Sequence, residues 1–374
     1  MRQLLATFAV ITCAAAAGAQ SPIDPPPVNE EAITRRLFEM TRPGAGERAI
    51  IVADPTYYPG ITNRLRELLH AAGVAVNVIQ DDLPSIVATY YSDTAAVEKR
   101  EREVIESLLP LFQRSDIFYW LPTRGYADDL RWERLVQRSR VRSVHFHWIN
   151  RYPAGLNDAE IRERTRITEA RVLDVDLAEH AKRQERLKRA IQGHILRITT
   201  PEGTNLVVRV PADQWFHLGN GDASRERAAT ARSVRDREIE LPVGMFNFVP
   251  RARDVSGTLV APSIYQAGNV VRNARFELAA GRARVVRADS GEAWIHRRVP
   301  AIGPDGNLIG TISFTTHPMD RGRVIIELGS NWENGGANRT RGIRRLTMFL
   351  ANATVAAGDR TLVRDGEFLW SEIP

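Results

Sequence analysis

The stretch Arg197-Ile198-Thr199-Thr200-Pro201-Glu202-Gly203-Thr204-Asn205-Leu206 divides a helix-rich first half of the chain from a strand-rich second half. Just before and into it, Ile195-Leu196-Arg197-Ile198-Thr199 alternates apolar and polar residues and carries β-branched side chains, a strand pattern. Pro201-Glu202-Gly203-Thr204 supplies a turn, because Pro fixes φ and Gly accepts positive φ. Leu206-Val207-Val208-Arg209-Val210 reads as the return strand. The sequence therefore predicts a β-hairpin that opens a new domain.

Downstream of the hairpin, strands dominate. Apolar, β-branched runs lie at 238–246, 257–260, 310–314 and 323–329. Residues 274–278 and 283–286 flank Gly281-Arg282 as a hairpin. Residues 361–363 and 367–370 flank Asp365-Gly366, a strong tight-turn signal. Upstream, 48–53 is a continuous apolar run of the kind buried in parallel sheets, followed by helical spacing over 61–72 and a second strand over 74–79. This β-α-β unit, a helix over 97–114 and strands at 115–121 and 141–148 predict an α/β layer. A short amphipathic helix precedes it at 29–40. No G-x-G-x-x-G run follows Val52, so a dinucleotide site has no support. Residues 157–192 read as one long charged helix linking the halves, capped by Asn157 or Asp158 and ended at Gly193. The predicted organisation is a leader at 1–19, an α/β domain at 20–156, a linking helix at 157–193 and a strand-rich domain at 194–374.

The N-terminus reads as a processing signal. Arg2, the short apolar run at 4–11 and Ala17-Gly18-Ala19 predict a secretory leader cleaved after Ala19, hence a periplasmic or secreted protein. Thr12 is a poor residue before a lipidated Cys, which disfavours a lipoprotein built on Cys13. Cleavage after Ala19 would remove that single cysteine, and with it any disulfide or thiol nucleophile. No later segment reaches the roughly 18 to 20 apolar residues of a membrane span. The chain carries 51 Lys and Arg against 45 Asp and Glu, almost all of the positive charge being arginine. No basic block or aromatic-basic interleave appears, so no nucleic-acid partner is expected.

In its second half the sequence resembles the thermophilic aminopeptidase family of metallopeptidases, the aminopeptidase T and S type. Ile198-Thr199-Thr200-Pro201-Glu202-Gly203-Thr204 is similar to that family's entry to its catalytic domain. Leu241-Pro242-Val243-Gly244 with Gly257-Thr258, Ile309-Gly310, Ile325-Ile326-Glu327-Leu328-Gly329, Gly335-Gly336-Ala337-Asn338 and Asp365-Gly366-Glu367-Phe368 follow in family order over about residues 195–370. The resemblance implies an α+β, strand-rich C-terminal domain behind the α/β one, and a homodimer. It also implies two divalent metal ions that activate water. The positions aligned with the family's ligands hold Met245, Thr311, Ile325, Trp332, Ile343 and Arg345, of which only Thr311 offers even a weak oxygen ligand. Glu327 and Glu333 are the nearest carboxylates.

No metal cofactor is therefore expected. The sequence predicts a family scaffold that has lost two-metal catalysis and takes a peptide or small ligand in the inherited cleft. Asn331, Trp332, Glu333, Asn338 and Arg345 are its candidate lining, in a long polar loop of amides and glycines. Two other outcomes stay open: a metal-dependent aminopeptidase with relocated ligands, and an enzyme of another class that reuses the cleft without metal. His145 and His147 share a strand face but have no third ligand spaced nearby, so they read as packed histidines. His217 and His296, each near aromatics, read the same way. Ser143 and Ser290 lack a G-x-S-x-G elbow.

Overall fold

A computed structural model describes residues 26–80, 95–122, 130–148, 157–266, 269–340 and 345–374. The expected leader, its cleavage point after Ala19, Cys13 and Ile343 lie outside the described residues.

The first layer is a five-stranded sheet in the order β2-β1-β3-β4-β8. It comprises β1 (Arg48–Ala53), β2 (Ala75–Gln80), β3 (Ile117–Trp120), β4 (Arg142–Phe146) and β8 (Glu238–Leu241). All its pairings are parallel. Helices α1 (Glu30–Thr41), α2 (Pro59–Ala71), α3 (Ala95–Gln113) and α4 (Leu130–Gln137) belong to this half. β3 and β4 are buried along their whole length, and β1 at all but its first residue, as two-sided burial requires.

Two expectations change here. Residues 238–246, read as one strand of the second half, are two strands in different sheets. β8 pairs with β4, and β9 (Met245–Phe248) pairs with β13 (Ile309–Thr315). Pro242 breaks the ladder between them, and Gly244 turns the chain at φ 126°. A Cβ on Gly244 would sit 2.7 Å from the His317 backbone nitrogen, so only glycine fits. The first sheet thus takes its last strand from beyond residue 194.

The long helix of 157–192 is also two helices, α5 (Asp158–Leu173) and α6 (Leu177–Ile191). Asn157 caps the first in a capping box with Glu160. Asp176 starts the second by accepting from the Glu179 amide, a local bond that competes with helix continuation.

The hairpin of β5 (Ile195–Thr199) and β6 (Asn205–Arg209) forms as expected, with antiparallel register from Ile195↔Arg209 to Thr199↔Asn205. Thr204 Oγ1 fastens its turn to the next strand, donating to the Val260 carbonyl at 3.1 Å and accepting from the Val260 amide at 3.0 Å. The hairpin lies in an eight-stranded sheet of order β12-β11-β10-β6-β5-β16-β17-β18. Its other members are β10 (Val255–Gln266), β11 (Asn269–Ala279), β12 (Arg282–Arg287), β16 (Thr354–Ala357), β17 (Arg360–Arg364) and β18 (Glu367–Phe368). The third sheet runs β15-β14-β13-β9-β7, with β7 (His217–Leu218), β14 (Val324–Gly329) and β15 (Arg345–Leu350).

The second and third sheets share one core. Leu196, Ile198, Leu206 and Val208 of the hairpin meet Phe246, Phe248, Phe314, Ile326, Leu328, Leu346 and Met348. Each such side chain contributes about 1.5–3 kcal/mol by burial. The sheets interlock with the first layer through β8 and the α5–α6 pair. Among the described residues no helix is long and apolar enough to cross a membrane.

Helix α6 buries His180, which is 1% exposed. Burial, helped by the charges of His317 and Arg183, pushes its imidazole down to about 4 from an ordinary 6.5. The fold thus holds the neutral ring while the unfolded chain takes a proton near pH 6.5. The stability tied to His180 is complete above that pH and is lost as pH falls from 6.5 toward 4. Buried His217 and His317 shift the same way. We expect urea unfolding at pH 7.5 and pH 4.5 to differ less in His180→Phe than in the parent by roughly 2–3 kcal/mol. An unchanged pH dependence would remove His180 as a source.

Candidate functional site

The third sheet has two unlike faces. Ile312, Phe314, Ile326, Leu328, Leu346 and Met348 fill the core. Cross-strand partners Thr311↔Glu327 and Glu327↔Thr347 share the opposite, polar face, with Arg345 beside Gly329. Glu327 is the hub there. Its carboxylate accepts from Thr311 Oγ1 at 2.6 Å and Thr347 Oγ1 at 3.1 Å, and pairs with Arg345 Nε at 3.2 Å.

A second hub comes from the first sheet. Two short helices follow, α7 (Arg225–Ala229) and α8 (Val234–Arg237), and α8 is closed by a capping box between Ser233 and Asp236. Asp236 also accepts from Trp215 Nε1 at 2.9 Å. Arg237 anchors the helix by donating to the Val141 carbonyl at 2.8 Å and the Val136 carbonyl at 3.2 Å. So held, Arg235 is 12% exposed and pairs with Glu238 at 3.1 Å, Glu240 at 2.5 Å and Glu333 at 3.1 Å. Glu333 also meets Arg345 Nη1 at 3.3 Å, which joins the two hubs.

The chain of contacts continues into the first layer. His147 Nε2 lies 3.7 Å from Glu240. The His147 and His145 rings are 3.8 Å apart, and His145 stacks on Trp120 at 3.6 Å. Glu133 of α4 supplies a further carboxyl, hydrogen-bonded to Glu333. A continuous polar path thus runs from Trp120 to Thr311 and ties the first sheet to the third.

Proton positions follow from burial and charge. Burial, reinforced by the charges of Glu333 and Glu238, holds the Glu133 carboxyl well above its ordinary range, so it carries a proton. Burial likewise pushes Glu238 up to about 7 against the pull of Arg235. For Glu240, burial opposes the charge, but Arg235 and His147 outweigh it and hold the carboxylate ionised. Glu333 stays ionised in the same way, with Arg345 and Arg235 overcoming its burial. His147, Arg345 and Glu240 are 34%, 23% and 22% exposed and form the accessible edge of the network.

Of the five candidate lining residues, the structure brings Glu333 and Arg345 into this network. Trp332 lies beside it, with the Arg134 guanidinium 4.9 Å over its ring. Asn331 and Asn338 are spent on backbone. Asn331 donates to the Gly310 carbonyl at 3.4 Å and accepts from the Asn338 amide at 3.1 Å. Asn338 bridges the Ile309 and Gly329 carbonyls at 3.0 and 2.7 Å, where the β13–β14 register shifts.

Of the aligned ligand positions, Thr311 and Arg345 meet at Glu327. Ile325 lies one pair further along the same face. Met245 does not join them: its register partner is Thr315, four residues along β13 from Thr311, or about 13 Å at strand rise. Sequence reading missed Glu133, Arg235, Glu238 and Glu240. The available signal was the charged run Arg235-Asp236-Arg237-Glu238 before an alternating Ile239-Glu240-Leu241.

This donor set does not fit a pair of divalent ions. The carboxylates of both hubs already face guanidinium groups at ion-pair distance. Among the described residues no three His, Cys, Asp or Glu are arranged to hold a metal.

No protein-family model matches the chain, and no curated protein matches it. Solved structures do share its fold. One is wild-type AmpT from Thermus thermophilus, similar over 91% of this chain and 98% of that chain with a TM-score of 0.61 and 14% sequence identity. The chain has the fold of that structure, an aminopeptidase-like fold.

Proposed function

We propose that this chain is an exported, aminopeptidase-like binding protein in which fixed arginines replace the catalytic cations of the fold. One observation carries this reading: the Arg345 guanidinium joins Glu327 to Glu333, at a position aligned with a family metal ligand. A fixed guanidinium balances carboxylate charge as a metal ion would, but it offers no open coordination position and generates no hydroxide. Two-metal peptidase chemistry is therefore lost, and the cleft is left for binding. The accessible edge of the network presents a carboxylate at Glu240, a guanidinium at Arg345 and an imidazole at His147. That mixture suits a small zwitterionic ligand such as a short peptide.

Calorimetric titration with a panel of unblocked di- and tripeptides tests the proposal. Binding without turnover is expected, and Arg345→Ala is expected to weaken it at least tenfold, or about 1.4 kcal/mol. Equal affinity in a variant whose circular dichroism matches the parent would exclude the cleft as the site.

A further inference from the structure

The eight-stranded sheet has one face in the core and one in solvent. Register places Arg197 and Arg209 (β5 and β6), Arg275 (β11), and Arg282, Arg284 and Arg287 (β12) on the solvent face. Glu277, paired with Arg284, is the one acidic residue that β12, β11, β10, β6 and β5 add to it, and β18 adds Glu367 opposite Arg364. The remaining outward residues are mostly small or polar, including Thr199, Asn205, Ser256 and Thr258, with Tyr265, Val270 and Arg272 exposed at the far end of the β10–β11 pair. The chain as a whole has 51 Lys and Arg against 45 Asp and Glu. With these six arginines and Glu277 set aside, 45 stand against 44, so this single face carries nearly all of the excess positive charge.

The charge is also largely unspent. Arg282 is held by Asp305 at 3.1 Å, and Arg284 by Glu277. Arg197 is bonded only to the Asn205 amide oxygen at 3.2 Å, and Arg275 only to Thr258 at 3.5 Å. Among the described residues, Arg209 and Arg287 make no ion pair.

We infer that this face docks on an anionic lipid surface. The arginines are spread in two dimensions. Three run along β12 at one side, and Arg197 and Arg209 lie three to four strands away, about 14–19 Å across. A filamentous polyanion meets a line of charge, whereas a bilayer meets an area. The one large aromatic that these strands expose, Tyr265, lies under the Arg272 guanidinium at 5.2 Å, so the face has no bare platform for stacking bases of the kind a single-strand nucleic-acid surface uses. It does expose Ile195, 44% accessible and cross-strand from Arg209, as an apolar contact at the headgroup level. Guanidinium groups at such a surface attract anionic lipid and are screened by salt within a Debye length.

Vesicle co-sedimentation of the full chain tests this. Binding is expected to vesicles of 30% phosphatidylglycerol in phosphatidylcholine, to fall steeply with salt, and to be absent with phosphatidylcholine alone. Replacing Arg197, Arg209, Arg275 and Arg287 together by Gln is expected to lower the partition coefficient at least about 100-fold. Replacing four exposed arginines elsewhere (Arg66, Arg162, Arg166 and Arg189) should lower it far less. Both variants keep the core residues, and matching thermal unfolding would confirm that they fold. Equal loss in the two variants, no vesicle binding by the parent, or tighter binding to duplex DNA than to anionic vesicles would each overturn the proposal.

Discussion

Replacing Arg235 with Met is expected to cost about 3–5 kcal/mol of folding stability at pH 7.5, one of the two largest single effects in the molecule. The physical reason is the number of carboxylates it serves. Glu238, Glu240 and Glu333 all lie within 3.1 Å of its guanidinium nitrogens. Methionine fills similar volume and leaves the ionised Glu240 and Glu333 short of their counter-charge in a largely buried site. The defect should shrink as pH falls, because the orphaned carboxylates can then take protons. Urea unfolding at pH 7.5 and pH 5 reads both effects. A cost under about 1 kcal/mol at pH 7.5 would mean that Arg235 does not balance the cluster.

The second large effect lies at the opposite side of the first sheet. Arg142 and Glu47 are each 3% exposed and meet in a two-pronged pair at 2.7 and 2.9 Å. Arg225 adds a contact to Glu47 at 2.8 Å from a more exposed position. Burial opposes the Glu47 charge, but bonds from Arg142, the Gly44 amide and Arg225 bring the carboxyl down to about 2. Its folded value lies below the ordinary 4.5. The pair's contribution is therefore present above pH 4.5 and lost as pH falls toward 2. Arg142→Met is expected to destabilise by about 3–5 kcal/mol at neutral pH, by leaving a buried carboxylate with the more exposed Arg225 as its one charged partner. The double variant Arg142→Met with Glu47→Leu should recover much of that loss, since removing both charges also removes the desolvation penalty. A double variant as unstable as the single one would show that the arginine acts through packing instead.

Local chemistry made part of the fold legible before any coordinates. The 195–209 hairpin, the Asp365-Gly366 turn and the apolar strands of the first sheet rest on residues adjacent in sequence, and all are present. At the last turn both residues have positive φ, 48° and 79°. Failures came where one residue decides between partners far apart. Nothing local in Glu238-Ile239-Glu240-Leu241 tells a strand of the second half from the closing strand of the first sheet. The same ambiguity hid the site. Alternating glutamates on a strand look like a solvent face, and they become a buried cluster only because α8 folds Arg235 over them. Of the polar loop, composition alone could not separate Glu333, which faces two guanidinium groups, from Asn331 and Asn338, which bind backbone carbonyls.

In the proposed function, Arg345 and Arg235 serve as the fixed cations of this site. Metal content after equilibration tests it most directly. The purified protein would be dialysed against micromolar zinc, cobalt or manganese, then desalted and measured by elemental analysis alongside a chelator-sensitive assay for release of N-terminal residues. Well under one tightly held ion per chain and no chelator-sensitive release are expected. About two ions per chain, with peptide turnover that a chelator abolishes, would contradict that role.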